Sequence, residues 1–269
     1  MPSPRQGIKV IYSSPNLPKL KSPYLICGFP GSGYVGKMAV DHLIQELQAK
    51  HLVDIYSSSF PPQIMIRSDG TSDLMKNSIF YSESKTISDM SLLLLTGDSQ
   101  PANPDSEYNL AEEILDIASR FDSQMVFTLA AYITGVFIEK PRIFGTATHA
   151  DIVRSFHERN VLSMDGGSIT GMNGLIIGIA KLRGLKGACL LGETSGYVVD
   201  AKASKAILES LLSIIGMTLD MTNLEKRAKD TEALIQTIEQ QVAGRTGRIT
   251  EGQQHSDVPH RPSDTGYIS

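Results

Sequence analysis

The segment at residues 28–37, with the sequence GFPGSGYVGK, constrains the fold more than any other part of this chain. A short apolar run at residues 24–29 leads into it and is typical of a buried strand. Apolar residues at helical spacing follow it, at Val35, Ala39, Leu43, Ile44 and Leu47. The sequence therefore predicts a strand, a glycine-rich turn and a helix, which together are the repeating unit of α/β proteins.

The same glycines match two phosphate-binding spacings without completing either. Gly31, Gly33 and Gly36 fit G-x-G-x-x-G, and Gly31 to Lys37 fit the G-x-x-x-x-G-K of a P-loop. Met38, however, replaces the Ser or Thr that holds Mg²⁺ in a P-loop, which argues against an ATPase. Two interpretations stay open: the turn binds an anion at the helix N-terminus, or its glycines only allow a tight turn and close packing. The candidate anion-binding residues are Gly31, Ser32, Gly33, Gly36 and Lys37, together with Asp165, Gly166 and Gly167 of a second glycine-rich turn.

Apolar strand patterns alternate with amphipathic helical patterns along most of the chain. Further strands are predicted at residues 52–59, 63–67, 78–82, 92–96, 125–130 and 186–192. Helices are predicted at residues 106–121, at 148–159 with Thr148 as the N-cap, and at 201–215 with Asp200 as the N-cap. This alternation predicts an α/β fold with a mainly parallel sheet sandwiched between helices.

The second glycine-rich block, beginning at Asp165, contains an apolar stretch interrupted by Gly171, Gly174 and Gly178. If this stretch is helical, each interior glycine costs about 1 kcal/mol relative to alanine, which is tolerable only where a close backbone approach is needed. We therefore expect all three glycines to be closely packed. Both glycine-rich blocks are predicted at strand ends, where sites in open α/β sheets usually lie.

The pattern changes after Met217, where apolar residues step alternately by four and three over about three and a half heptads. Two interpretations are open: an amphipathic helix lying on its own domain, or a C-terminal helical extension that pairs with another subunit. The residues proposed for such an oligomer contact are Met221, Leu224, Ile235 and Ile238. Beyond Gly244 few residues are apolar, which predicts disorder. The predicted divisions are an α/β domain at residues 1–219, a heptad-patterned helix at 220–243 and a disordered tail at 244–269.

Composition argues against several classes of protein. The net charge of −4 and the pI of about 5.9 indicate no basic surface for nucleic acid or anionic membranes. The N-terminus has no apolar leader and no run is long enough to cross a bilayer. We therefore expect a cytoplasmic protein with neither nucleic acid nor membrane as a partner. Cys27 and Cys189 lie in apolar runs, which predicts buried thiols.

No complete catalytic or metal-binding motif is present in the sequence. The G-x-S-x-G elbow, H-E-x-x-H and zinc-ligand spacings are all missing. Glu193, at a predicted strand end, is the best single carboxylate candidate for catalysis. A lone carboxylate at such a position, however, more often caps a turn or forms hydrogen bonds with it. We therefore expect a protein that is not an enzyme, with no catalytic residue, metal or cofactor.

Two segments taken together, GFPGSGYVGKMAVDHLI at residues 28–44 and GSITGMNGLIIGIAKLRGLKGACLLGETSGYVVDAKASKAIL at residues 167–208, resemble the PAC2 family of proteasome assembly chaperones, particularly its archaeal members. The resemblance covers about residues 8–218. It implies an α/β fold similar to that of nucleoside phosphorylases but used for protein binding. It also implies homo-oligomers whose partners are proteasome α subunits.

Some members of that family dock through a C-terminal tripeptide in which tyrosine stands second from the end, after a hydrophobic residue. This chain ends Gly266-Tyr267-Ile268-Ser269, so its tyrosine lies one residue too early and follows a glycine. The resemblance therefore implies, at most, a weak partner-binding anchor at Tyr267, Ile268 and Ser269.

Three functional hypotheses follow from these features. The leading one is an assembly chaperone that binds proteasome α subunits as a homo-oligomer. The alternative is an enzyme or binding protein for a phosphorylated or nucleotide-like small molecule, which would use the candidate anion-binding residues. The third is a structural oligomer that scaffolds something else.

Overall fold

The computed structural model describes residues 5–83 and 90–233. Contacts divide the chain into two units, Met1–Thr231 and Glu232–Ser269. The fold described below belongs to the first unit. The tail residues Tyr267, Ile268 and Ser269 and the heptad residues Ile235 and Ile238 lie outside the described residues.

The strands among the described residues are β1 Ile8–Tyr12, β2 Tyr24–Gly28, β3 Lys50–Ser57, β4 Ile64–Ile66, β5 Ser72–Leu74, β6 Asn77–Ser82, β7 Leu92–Gly97, β8 Met125–Ile133, β9 Ile143–Ala147, β10 Val161–Ser163 and β11 Lys186–Thr194. The helices are α1 Val35–Glu46, α2 Pro104–Arg120, α3 Ala150–His157, α4 Gly171–Leu182, α5 Ala201–Ile215 and α6, which begins at residue 222. A 3₁₀ turn, Ser32–Tyr34, precedes α1.

Nine strands form one sheet in the order β1-β3-β6-β7-β2-β8-β11-β9-β10, and β4 and β5 form a separate hairpin. The central strands β7, β2, β8 and β11 run parallel. Strand β10 is parallel to β9, whereas β1, β3, β6 and β7 pair antiparallel, as do β9 and β11. The α/β class is confirmed, with a sheet that is parallel at its centre and mixed towards its edges.

Helices cover both faces of the central strands, which explains their continuous apolar sequences. Helices α2 and α4 pack on one face, with a large buried apolar cluster between them and the sheet. Helices α1, α3 and α5 pack on the other face. Residues 92–95 of β7 are consequently almost fully buried. Cys27 and Cys189 are buried free thiols, as predicted, and burial raises the pKa of both.

Close packing explains some of the glycines and not others. A Cβ atom on Gly36 would lie 2.6 Å from the carbonyl carbon of Leu129, and one on Gly174 would lie 2.9 Å from that of Ile169. These positions therefore need glycine because a backbone lies too close for any side chain. The expectation of close packing is wrong for Gly178, which is exposed and has no atom of the described residues near its missing Cβ.

The caps of two helices test the local predictions. Asp200 caps α5 as predicted, since its Oδ1 accepts a hydrogen bond from the Ala203 N–H at 2.9 Å. The prediction that Thr148 caps α3 is wrong, because the N-cap is His149, which makes no side-chain cap bond. The Thr148 hydroxyl instead accepts from the Gly187 N–H at 2.9 Å and ties the start of α3 to β11.

Helix α6 accounts for the first part of the heptad stripe. Leu224 is 1% exposed, and with Ala228 it belongs to the same buried cluster as residues of α1 and α5. The turn before α6 is also tied to α1, since the His42 ring nitrogen lies 2.8 Å from the Asp220 carbonyl oxygen. Leu224 is therefore buried within its own domain, and Met221 is partly buried there. An oligomer contact at Ile235 and Ile238 stays a prediction.

Candidate functional site

A cleft at the carboxyl edge of the parallel strands brings the two glycine-rich segments together. The turn after β2, the loop after β7 and the segment before α4 all line it, and β8 and β11 contribute to its walls. Its volume is about 720 Å³, which lies within the roughly 300–1,000 Å³ of typical ligand sites. Strand ends of open α/β sheets are where such sites usually form.

Gln100, which sequence reasoning missed, joins the two segments. Its Nε2 donates to the Pro30 carbonyl oxygen at 2.7 Å, and its Oε1 accepts from the Met172 N–H at 3.1 Å. One side chain thus spans from the turn after β2 to the first turn of α4. No motif surrounds Gln100, and its place after the predicted strand at 92–96 was the only signal available.

The glycine turn is locked by the start of α5. Gly33 has φ of 63° and Tyr34 has φ of 53°, so both adopt the left-handed conformation. The Gly33 carbonyl oxygen accepts from the Asp200 N–H at 2.8 Å. Asp200 is held in turn by the Thr194 hydroxyl, which donates to its Oδ2 at 2.7 Å. The turn is therefore held to the start of α5 by hydrogen bonds.

The first group of candidate anion-binding residues is only partly at the cleft. Gly31, Ser32 and Gly36 line it, and Gly33 is buried in the turn. Lys37 is not among the lining residues. Its Nζ lies 3.1 Å from Asp41 Oδ2 and 3.0 Å from the Thr96 hydroxyl, so its charge is already neutralised. The predicted cation of an anion site is thus engaged elsewhere.

The second group of candidate residues lies beside this cleft. Gly166 and Gly167 line a neighbouring cleft of about 280 Å³, and Asp165 is exposed. Gly166 and Gly167 have φ of 84° and 98°, so a turn explains both glycines.

The electrostatics of the larger cleft do not favour an anion. Glu107 is the one charged side chain among its lining residues, and no Lys, Arg or His lines it within the described part of the chain. Its serine and threonine side chains therefore have neither a histidine nor a lysine beside them, among the described lining residues, to act as a base that activates a nucleophile. What the arrangement offers is apolar surface with a few amide and hydroxyl groups.

Glu193 is a structural residue at this edge. It is 2% exposed, and its Oε2 accepts from the backbone N–H and the Nε of Arg142, each at 2.9 Å. Its Oε1 accepts from Arg142 Nη2 at 2.6 Å. These hydrogen bonds hold the pKa of Glu193 below its ordinary value. The carboxylate therefore fixes the loop before β9 and is not available as a general acid.

Exposed apolar side chains lie at one side of the cleft, on the end of β8 and on the segments that follow β8 and β11. We call Tyr132, Ile133, Val136 and Tyr197 the apolar rim. Ile133 and Val136 are each 59% exposed and Tyr197 is 74% exposed. Tyr132 and Ile133 also line the cleft itself. Sequence reasoning missed the rim, because an apolar residue at a strand end gives no sign of its exposure.

Neither a metal site nor a membrane-spanning helix is found within the described ranges 5–83 and 90–233. There is no group of three or more His, Cys, Asp or Glu side chains arranged to hold a metal ion. Over the same residues, no helix has both the length and the apolar character needed to cross a membrane.

Comparison with known proteins identifies the family to which the chain belongs. A family model described as the PAC2 family matches residues 25–239. The uncharacterized protein MJ1210 of Methanocaldococcus jannaschii is 35% identical over 222 residues, which are 81% of this chain and 84% of that protein. These matches confirm the resemblance drawn from the two glycine-rich segments.

Solved structures agree with this assignment. The crystal structure of PbaB from Pyrococcus furiosus, an archaeal proteasome activator, is 36% identical, with a TM-score of 0.81 over 87% of this chain and 99% of that one. That of PbaA from the same organism, an archaeal homolog of proteasome-assembly chaperone, has a TM-score of 0.72 over 92% of this chain and 98% of that one, at 23% identity. The likeness to PbaA supports the fold alone. The family model and the identity to MJ1210 together show that this chain belongs to the PAC2 family.

Proposed function

We propose that this chain is a proteasome assembly chaperone-like protein that binds proteasome α subunits as a homo-oligomer. The observation that carries the proposal is the match to the PAC2 family over residues 25–239, because the resemblance to that family implies an assembly chaperone with proteasome α subunits as partners. The likeness to PbaB, at 36% identity over 87% of the chain, supports a proteasome partner. The geometry supports it, because the cleft has no histidine and no cation among its described lining residues and is bordered by exposed apolar side chains. Such a surface suits protein binding better than acid–base chemistry.

The proposal includes roles for segments outside the described residues. Ile235 and Ile238 would make the oligomer contact, and Tyr267, Ile268 and Ser269 would add a weak anchor on the α subunits. The divisions at residues 1–219, 220–243 and 244–269 belong to the same proposal. The protein would act in the cytoplasm and without a cofactor.

The test is a pull-down of the full-length chain against recombinant proteasome α subunits from the same source, with the complexes sized by light scattering. We expect a defined complex that contains several copies of this chain. A folded protein that captures no α subunit would contradict the proposal. Removing residues 266–269 should weaken capture, whereas His260→Ala in the same tail should not. Equal capture by the shortened chain would exclude the anchor.

A second candidate function is activation of assembled proteasomes, since PbaB is described as a proteasome activator. Both functions begin with binding to proteasome subunits, so the pull-down does not separate them. Adding the chain to assembled proteasomes and measuring peptide hydrolysis does. An activator raises the hydrolysis rate of mature particles, whereas an assembly chaperone accelerates particle formation from free subunits.

A further inference from the structure

We infer that the cleft and the apolar rim form a docking site for an uncharged, apolar peptide segment of another protein, which inserts a large apolar side chain into the cleft. This inference deepens the proposed function, because it assigns partner recognition to the folded domain. It rests on that function only for the identity of the partner.

The first argument is that the part of the rim on β8 is exposed but held in place. The Thr134 N–H donates to the Thr194 carbonyl oxygen at 2.9 Å, which ties the strand end carrying Ile133 to β11. Tyr132 stacks on Phe144 with ring centroids 4.4 Å apart. Large exposed apolar groups on a rigid support lose little conformational entropy on binding, which is typical of binding surfaces.

The second argument is the extent of the apolar surface. Val136 and Tyr197 are exposed but do not line the cleft. A small molecule inside the cleft would leave them in water, whereas a peptide that crosses the mouth would cover them. The two segments lie close to the cleft residue Ile133, because a Cβ on Gly196, next to Tyr197, would lie 3.2 Å from it. A Cβ on Gly135, next to Val136, would lie 3.7 Å from the Tyr197 hydroxyl.

The third argument is charge. Glu107 is the one charged group among the described lining residues, so a phosphate or an acidic segment would meet repulsion and no compensating cation. The apolar walls, which include Phe29, Ala130 and Leu191, favour an apolar side chain. The occupant therefore carries no negative charge where it enters the cleft, and the apolar walls favour an apolar side chain over a charged one.

Asn173 supplies a polar group to complete such a site. It lines the cleft, and its buried Oδ1 accepts no hydrogen bond from the described residues. Burying an acceptor without a donor is unfavourable. The unpaired Oδ1 is therefore a candidate acceptor for a main-chain N–H of the bound segment.

The first test compares capture of recombinant α subunits by the full-length chain and three variants. Ile133→Asp combined with Tyr197→Asp places charge on the rim, and Ser168→Trp fills the cleft. Leu182→Asp is the matched control, since Leu182 is 88% exposed at the far end of α4. We expect the first two variants to weaken capture about tenfold or more, as for interface hot spots, and the control to change it less than about twofold.

Thermal unfolding and light scattering keep that comparison interpretable. The substituted residues are exposed, so all variants should unfold near the wild-type temperature and keep its oligomeric state. Equal capture by wild type and the rim variant overturns the inference. Dissociation of the homo-oligomer by the rim variant also overturns it, because the rim would then be a contact between copies of this chain.

The second test does not depend on α subunits. Isoleucine methyl NMR of the full-length chain is recorded with the neutral peptide acetyl-Leu-Tyr-Leu-amide and with acetyl-Glu-Tyr-Glu-amide. We expect the neutral peptide to shift the methyl signals of Ile133 and Ile169, leaving that of Ile66 on the β4–β5 hairpin in place, and the acidic peptide to shift none. If wild type captures no α subunit, the proposed function fails and this test alone decides the inference. Unshifted Ile133 and Ile169, or equal shifts with the acidic peptide, overturn it.

Discussion

Gly36→Ala should destabilise the protein, although alanine is the better helix former. A Cβ on Gly36 would lie 2.6 Å from the carbonyl carbon of Leu129 in β8. An ordinary carbon–carbon contact is about 3.5 Å, and the carbonyl oxygen of Leu129 lies closer still, so α1 must move away from the sheet by at least about 0.9 Å. Gaps of that size forfeit a quarter to a half of each dispersion contact, and α1 buries Val35, Ala39, Val40 and Leu43 against the sheet.

The expected magnitude is the difference between two effects. Overpacking typically costs about 1–3 kcal/mol, and the upper value applies here because the obstacle is backbone that has no rotamer to change. The gain in helix propensity is at most about 1 kcal/mol. The net loss is therefore about 2 kcal/mol. For a chain of this size, that lowers the unfolding temperature by about 4–8 °C.

Gly178→Ala is the matched control, because it makes the same change inside α4 where no described atom approaches the missing Cβ. It should stabilise the protein by up to about 1 kcal/mol through helix propensity alone. Urea unfolding of both variants and wild type, at one protein concentration, measures the two effects. If Gly36→Ala is as stable as wild type, or if both variants shift in the same direction, the close-packing argument is wrong.

Three further predictions concern the carboxyl edge of the sheet. Arg142 lowers the pKa of Glu193, so this carboxylate adds stability above its unfolded pKa of about 4.3 that is lost as the pH falls through its lower folded pKa. The difference in urea midpoint between wild type and Glu193→Gln should therefore shrink between pH 7 and pH 3, and a constant difference would contradict this. Asp200→Ala should lose about 1–2 kcal/mol, since it removes the cap of α5, and urea unfolding at neutral pH would measure it. Nucleotides and phosphosugars should leave the unfolding temperature unchanged, because no cation is found among the described lining residues of the cleft, whereas a true ligand at 100 times its dissociation constant would add about 2.7 kcal/mol.

Local sequence patterns were sufficient for the long and buried elements. The strands β2, β7, β8 and β11 are continuous apolar runs, and α1, α2 and α5 have clear periodicity with caps or glycine turns at their ends. The short strands β1, β5, β9 and β10 were not predicted. Each has three to five residues, and what makes it a strand is the neighbour with which it pairs.

The candidate site divides in the same way. The glycine turn and its position at a strand end could be predicted from the sequence, because they depend on adjacent residues. Three other features could not be predicted from the sequence, because each depends on distant segments. They are the hydrogen bond from Lys37 to Thr96, the bridge formed by Gln100 and the exposure of Tyr197.

By itself, the sequence determined the α/β class, the central strands and the family of this protein. Hydrophobic periodicity, caps and glycine turns act over a few residues and need no tertiary context. Only the tertiary structure decided the order of the strands, the neutral lining of the cleft and the apolar rim beside it. Those properties come from contacts between residues far apart in the chain, which bring some charges into pairs and leave some apolar side chains uncovered.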